Sequence, residues 1–565
     1  LKIKEAKLET IIDDEGFKIM DGDKIIDESK YIAMVISRFK IRNNKLYILG
    51  YLRSVLLQFE DPKLYVVIKR NGKEERKEIK LFESNQKKLA SKMDVSRIYG
   101  LELEESIEKV QSIYFEVLVN NKKIDITYEF TRYTPFVPKA KIKIRSYLYK
   151  DKRISYIARK GFKFENATFK NRIKTKLPRF LYTLLKEPSA LIYRSKAKKY
   201  KDKEIWLYCD RAGLKDNAYI QFKHDIKIND GIDRYYIFDG DEINKEMFDE
   251  SELKNVILKK DKKAKVLQIA SSKILTSFST VNEYSQYPYK SFKYYSDIKK
   301  YDLVYLQHGV LFAKLIKMYG KEFTEIDKII ISSEFEKKNL INNYKYNEKD
   351  LILTGMPRFE KEDTNVEKIS RIILAPSWRK YLIQDPPVNG ERKPFKELFL
   401  ASKFYNEINA LINDKELNKL LKESDVQLDL KLHPIFKDYN ECFKTDCSNI
   451  NVVEDKVNEL AYSLLITDFS SYQFDFAKLG TPMIYFIPDR EEFDAGLHTY
   501  RELDLPLEEG FGDVVTSAKE LKENIEYYIK NNFKAKKVYK DRMSNFFVKE
   551  KNITDKIYKA LMKKD

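Results

Sequence analysis

The chain has 565 residues, 43% hydrophobic and 13% aromatic, which supplies core for about two to four domains and excludes a disordered chain. Its net charge of +19 is concentrated, because residues 139–203 hold 22 Lys and Arg against four Asp and Glu; a general nucleic-acid coat is excluded. Cys209, Cys442 and Cys447 form no CxxC pair, so neither a disulfide framework nor a cysteine zinc site is expected. No apolar run nears the roughly 18 residues of a membrane span, and no signal-peptide pattern is legible.

Residues 1–135 repeat short β patterns at 45–52, 64–68 and 112–119, separated by Asn43-Asn44, Asn71-Gly72 and Asn120-Asn121. Asn-Gly between alternating apolar residues is a hairpin signal, so a small antiparallel β-sandwich with a scaffolding or acceptor-binding role is predicted. Residues 136–203 read as a basic helical connector. Leu177, Phe180, Leu181, Leu184 and Leu185 recur there at helical spacing among Lys174, Lys176, Arg179 and Lys186, and Pro188 ends the pattern. Such a helix either lies on an anionic membrane surface or packs its Leu stripe on a neighbour.

From residue 204 the pattern alternates between strands and helices. Strands are predicted at 205–209, 235–238, 266–270, 303–306, 329–331 and 352–353, with helices near 218–224 and 243–258. A polar linker is expected at 363–367. The alternation restarts with strands at 372–375, 428–432, 464–466 and 483–487 and helices at 395–423, 472–479, 516–530 and 537–563. The predicted class is α/β: a GT-B-like pair of Rossmann domains, 204–362 and 363–565, preceded by the β-sandwich.

Ligands of open α/β sheets bind beyond the carboxyl ends of the strands. Polar clusters sit at these predicted ends: Gln307-His308-Gly309, Gly355-Met356-Pro357-Arg358, His433-Pro434 and Asp468-Phe469-Ser470-Ser471. His308 and His433 are two of only four His in the chain. The Asp-Ser-Ser turn opens a helix, where free N–H groups and hydroxyls suit a phosphate, although Asp468 or Ser470 would serve equally as a helix cap. Arg offers a rigid multidentate fork for phosphate.

In order, His308-Gly309, Gly355-Met356-Pro357-Arg358, Ala375-Pro376-Ser377-Trp378-Arg379, His433-Pro434, Thr467-Asp468-Phe469-Ser470-Ser471, Asp475, Pro482 and Tyr485 resemble the CDP-glycerol glycerophosphotransferase family of teichoic-acid and capsule-polymer enzymes. Residues 206–217 are similar to that family's opening strand and its Asp-Asn turn, here Asp216-Asn217, and the resemblance covers about 204–530. Gln307 departs from the Trp of many members. Residues 492–512, with His498, follow the pattern only loosely.

The resemblance implies a CDP-glycerol or CDP-ribitol donor and an acceptor hydroxyl on a lipid-linked or polymeric glycan. The hydroxyl attacks the β-phosphorus and CMP leaves. It also implies a peripheral enzyme on the cytoplasmic face of the membrane, with no nucleic-acid partner and no cofactor; no metal-ligand cluster is legible in the sequence. The catalytic expectation falls on His308, as general base, and His433. Arg358, Ser470 and Ser471 are expected at the donor phosphates, with Gly309, Gly355, Pro357, Ser377, Arg379, Asp468 and Asp475 supporting the site. Ser377 and Arg379 are expected to line the cleft. Two other readings share parts of this pattern: a GT-B sugar-nucleotide transferase or epimerase, and a non-enzymatic adaptor for anionic surfaces built on residues 139–203.

Overall fold

The computed structural model describes residues 8–13, 15–86, 88–90, 93–95, 97–131, 133–211, 215–360, 370–384, 395–454, 457–498, 500 and 502–563. The linker expected at 363–367 lies outside them.

Left-handed backbone at Asn43, Asn44, Asn71, Asn120 and Asn121, with φ from 46° to 63°, turns the N-terminal hairpins. Their strands join an eleven-stranded sheet beside a three-stranded one, around a single apolar core that reaches from Ile12 to Phe164. The β domain therefore continues past residue 135. Strands Ser146–Tyr149, Lys152–Ile157 and Gly161–Asn166 lie within the first half of the expected helical connector and extend this sheet. Their period of two is masked by outward Lys and Arg, while Ile154, Tyr156, Phe162 and Phe164 point inward.

Helices Phe169–Lys186 and Ser189–Ala197 follow. The first buries Thr175, Arg179, Tyr182 and Thr183 and exposes its apolar stripe: Leu177 is 51% exposed and Leu185 68%. Packing of that stripe on a neighbour is thus overturned. Arg179 faces inward, 3.3 Å from the Asp297 carboxylate and 3.1 Å from the Lys293 carbonyl.

The first Rossmann-like lobe has seven parallel strands: β1 Ile205–Cys209, β2 Asp233–Phe238, β3 Val256–Leu258, β4 Lys273–Thr276, β5 Asp302–Tyr305, β6 Ile326–Ile331 and β7 Leu351–Leu353, in the order 3-2-1-4-5-6-7. Two expectations fail here. Residues 262–270 form a helix rather than a strand, and the strand that follows is β4. The helix expected at 243–258 is two short turns and β3.

The second lobe repeats the design with β8 Arg371–Leu374, β9 Gln427–Leu430, β10 Ile450–Val452, β11 Leu464–Thr467, β12 Met483–Phe486 and β13 Gly512–Val515, in the order 10-9-8-11-12-13. The helix expected at 395–423 is broken into three, because Ser402 and Asp414 each cap a new start. The chain then returns: Ile553, Ile557 and Leu561 of the last helix, Ile553–Met562, pack in the core of the first lobe. The second lobe thus ends before residue 565.

Candidate functional site

In both sheets the order reverses at the first strand of the lobe, β1 or β8, and the motif residues follow the strands beside that point. Asp210 follows β1. Its buried carboxylate accepts from the N–H groups of Asp216 at 3.0 Å and Tyr219 at 2.9 Å, and from the Ser277 hydroxyl at 2.5 Å. Burial, aided by the nearby charge of Asp216, pushes its pKa up to about 6. These bonds hold Asp216 and Asn217 at the start of helix Asn217–Asp225.

Asn217 fastens two loops. Its Nδ2 donates to the Gln307 carbonyl at 2.8 Å, and its Oδ1 accepts from the Arg358 N–H at 2.8 Å. Gln307, fully buried, takes a left-handed φ of 65°. That conformation costs a non-glycine residue roughly 1–2 kcal/mol. Its side-chain amide donates to Glu336 at 2.9 Å and to the Ile330 carbonyl at 2.8 Å, which holds the turn in place. Burial pushes the Glu336 carboxyl up to about 7.

This turn presents His308. Its Nδ1 is hydrogen-bonded to the Asp216 carboxylate, and its ring stacks on Phe278 at 4.7 Å and 29°. A carboxylate only accepts, so Nδ1 carries the proton and the Nε2 lone pair is left for another partner. The side chain is 55% exposed. Burial acts to raise the Asp216 pKa, but the hydrogen bond from His308 and the charge of Arg358 outweigh it, and the carboxyl stays below its ordinary value.

Arg358 joins the lobes. Its Nε and Nη2 hold Asp475 of the second lobe at 2.7 and 2.9 Å, while Nη1 reaches Asp216 at 3.1 Å and the His308 carbonyl at 2.5 Å. Burial disfavours its charge, but Asp475 and Asp216 raise its pKa overall. Four of the five guanidinium N–H donors are taken by these protein acceptors, which gives Arg358 a positioning role and leaves one Nη2 N–H for the expected phosphate contact. Gly309 touches the other lobe as well: a Cβ there would lie 2.6 Å from the Ser471 hydroxyl. Gly355 sits at φ 91°, where L side chains are strained. Pro357 starts the short turn Pro357–Glu360.

Ser377, Arg379 and Asp468 form a second cluster. Arg379 is fully buried and spans Asp468 at 2.6 Å and Asp489 at 2.5 and 2.9 Å, and Asp468 also accepts from the Ser377 N–H at 2.9 Å. The expectation that Arg379 and Ser377 line the cleft is corrected: the pair is buried and ties the ends of β8, β11 and β12 together. Asp468 belongs to this ion pair rather than to a helix cap. Ser470 Oγ accepts from the Tyr472 N–H at 3.2 Å, beneath a helix, Gln473–Lys478, of only six residues. His433 follows β9 on the same sheet edge, where its Nδ1 accepts from the Ile435 N–H at 3.2 Å. The structure thus gathers His308, Gly309, Arg358, Ser471 and Asp475 at the lobe junction. His433 is engaged with its own turn.

Asp216 and Phe278 are the site residues that sequence reasoning missed. Asp216 was visible only as a turn residue. Phe278 carries no motif.

Among relatives, the chain is 27% identical to the "Minor teichoic acid biosynthesis protein GgaB" of Bacillus subtilis (strain 168) over 457 residues, 74% of this chain and 48% of that protein. It is 26% identical to the "Teichoic acid poly(glycerol phosphate) polymerase" of the same strain over 191 residues, 32% of this chain and 24% of that protein. The chain thus spans about half the length of the first curated relative and a quarter of the second. A solved structure of the wall teichoic acid polymerase TagF superposes with a TM-score of 0.46 at 14% identity, over 70% of this chain and 98% of that one. The family model described as CDP-Glycerol:Poly(glycerophosphate) glycerophosphotransferase matches residues 191–563, both lobes of the molecule, and the chain belongs to that family.

Proposed function

We propose that the chain moves glycerol phosphate from CDP-glycerol to an acceptor hydroxyl on a lipid-linked or polymeric glycan and releases CMP. The observation that carries this reading is the Asp216–His308 pair at the lobe junction, with Nδ1 held by the carboxylate and the imidazole side chain 55% exposed. In the proposed step the acceptor oxygen forms a bond to the β-phosphorus of the donor while the bond from that phosphorus to the CMP oxygen breaks. The hydroxyl proton passes to His308 Nε2, and Asp216 stabilises the resulting imidazolium. General-base assistance of this kind contributes about 10²–10⁴-fold.

The donor pyrophosphate would face the Ser470 and Ser471 hydroxyls and His433. Arg358 and Asp475 hold the two lobes in register around it, and Ser377, Arg379 and Asp468 keep the strand ends fixed. CDP-ribitol is the alternative donor. Among the described residues no helix is long and apolar enough to cross a membrane. We place the protein peripherally at the cytoplasmic membrane face instead, with Phe169, Leu177, Leu185 and Ile192 in the lipid interface and Lys170, Lys174, Lys176 and Lys186 at anionic headgroups. The support is that these four apolar residues are 51–81% exposed.

The test is nucleotide release with CDP-glycerol, CDP-ribitol and UDP-sugars, with mass detection of the product. CMP release with a CDP-alditol, and mass gain of one alditol phosphate per turnover, is expected. UDP release from a UDP-sugar, with no CMP from either CDP-alditol, would favour a sugar-nucleotide enzyme on the same fold.

A further inference from the structure

Away from the lobe junction the β domain carries a cleft of about 620 Å³ that the transfer chemistry does not use. It arises from a fork in the sheet. Strand Val110–Val119 pairs along one edge with Pro62–Arg70. Along its other edge it pairs with Gly161–Asn166 only at Ser112 and Ile113, and with Lys122–Phe130 only from Val117 to Val119. The two partners diverge at Tyr114–Glu116, and the gap between them is the cleft. Gly161 makes the divergence possible: at φ 75° it brings the hairpin so close that a Cβ would stand 2.3 Å from the Ile113 carbonyl.

The floor is apolar, with Phe115, Ile124 and Phe162 buried beneath it. The walls are cationic: Lys69, Lys123, Arg159, Lys160 and Lys163 line them, against the single carboxylate of Asp125. Lys123 is paired with Glu116 at 2.6 Å and Lys163 with Glu165 at 2.8 Å, both outside the lining. Arg159 lies over the Tyr31 ring at 4.6 Å. Among the described residues, Lys69, Arg159 and Lys160 have no carboxylate within ion-pair distance. Lys69 on strand Pro62–Arg70, and Arg159 and Lys160 in the turn before Gly161–Asn166, are like charges without counter-charges that repel one another, so the cleft is complementary to an anion. None of these cations is buried into a cage for one phosphate. They are spread along a groove with an apolar bed, which matches a repeating chain of phosphodiesters and carbon-bound hydrogens.

We propose that this cleft binds the polyol-phosphate polymer, as a holding site for acceptor or product chain outside the transfer site. The inference rests on the proposed alditol-phosphate transfer for the identity of the polymer. Its expected consequence is retention of the chain between turnovers.

The test uses the full-length protein and a synthetic glycerol-phosphate octamer as probe. The variant is Lys69→Gln/Arg159→Asn/Lys160→Gln; Asn tolerates the left-handed φ of 62° at position 159. The control, Lys415→Gln/Lys419→Gln/Lys422→Gln, removes the same charge from an exposed helix of the second lobe, Lys415–Glu423. We expect the cleft variant to lose about tenfold or more in octamer affinity at low salt, with a shallower salt dependence and shorter products, while the control changes little. Equal losses in both variants, or an unchanged octamer affinity in the cleft variant, would overturn the proposal. So would loss of binding to phosphatidylglycerol vesicles with octamer binding intact, since the cleft would then read lipid headgroups. If the unmodified protein releases no CMP from CDP-glycerol and yet the cleft variant alone loses octamer binding, the polymer site stands and the transferase reading fails.

Discussion

His308 takes its meaning from a partner 92 residues earlier in the chain. Without Asp216 the imidazole would sample both tautomers and more than one ring orientation. Asp216→Asn keeps the shape of the side chain and removes the charge that stabilises an imidazolium. It is expected to lower the transfer rate by about 10²-fold, within the range of general-base effects, and to leave donor KM within a few-fold. Steady-state rates at saturating donor check this. A second residue ties stability to pH. His498 is 4% exposed, packs 5.0 Å from Phe469, and has its pKa pushed down to about 4 by burial, with the charge of Arg379 adding to the effect. The unfolded chain binds a proton near pH 6.5 and the folded chain only near 4, so stability is full above 6.5 and falls as pH drops through that window. The loss amounts to about 3 kcal/mol at the acid end. Denaturant midpoints between pH 7 and 4 should fall less steeply in His498→Phe than in the parent. Parallel slopes would contradict the burial argument. Neither pairing was legible in the sequence, because each depends on which distant loops meet.

Elements were legible where an apolar run ended in a polar motif. The runs at 303–306, 329–331 and 464–466 became β5, β6 and β11, and their following residues reached the expected sheet edge. The run at 266–270 did not. Five apolar or neutral residues fit a buried helix as well as a strand, and helix Lys262–Ala270 is buried on two faces, Ala264 and Leu267 in one apolar cluster and Val266 and Ile269 in another. Strands 152–157 and 161–166 were hidden for the opposite reason, since Lys and Arg on their outer face resemble a basic connector. Helix Phe169–Lys186 gives an element-scale prediction. Its polar face is inside and its apolar face outside, the reverse of a soluble surface helix. Leu177→Ser/Leu185→Ser should weaken flotation with phosphatidylglycerol vesicles at least several-fold, since each buried Leu contributes about 1.5–3 kcal/mol, and should leave the unfolding midpoint nearly unchanged. Unchanged flotation would remove the membrane role from this helix.

At the scale of the molecule, the two lobes meet through charged, backbone and apolar contacts: Arg358–Asp475 and Lys314–Glu502 are ion pairs, the Asp504 and Leu505 N–H groups donate to the Phe312 carbonyl, and Val310, Phe312 and Met356 share an apolar cluster with Phe469 and Phe474. Arg358 binds Asp475 through two hydrogen bonds, and Phe312 of the first lobe meets Phe474 of the second at 5.4 Å. The last helix crosses back, so the second lobe is anchored at both of its ends. The doubly wound class was readable from the alternation of elements, whereas the bridge and the returning helix were not, since both are contacts between distant segments. Asp475→Asn removes the charged partner of Arg358. It should increase the radius of gyration by small-angle scattering and lower transfer about tenfold, and Arg358→Lys should behave alike because an ammonium cannot replace the two-pronged fork. A variant with unaltered scattering and full activity would show that the bridge does not set lobe closure.

The proposed transfer turns on His308 as the group that takes the acceptor proton. Single-turnover transfer from CDP-glycerol by His308→Ala, with donor Kd measured separately on the same protein, tests this directly. A rate at least about 10²-fold below the parent with donor Kd within a few-fold is the predicted result. A near-normal rate, or a deficit that saturating donor restores, would contradict it.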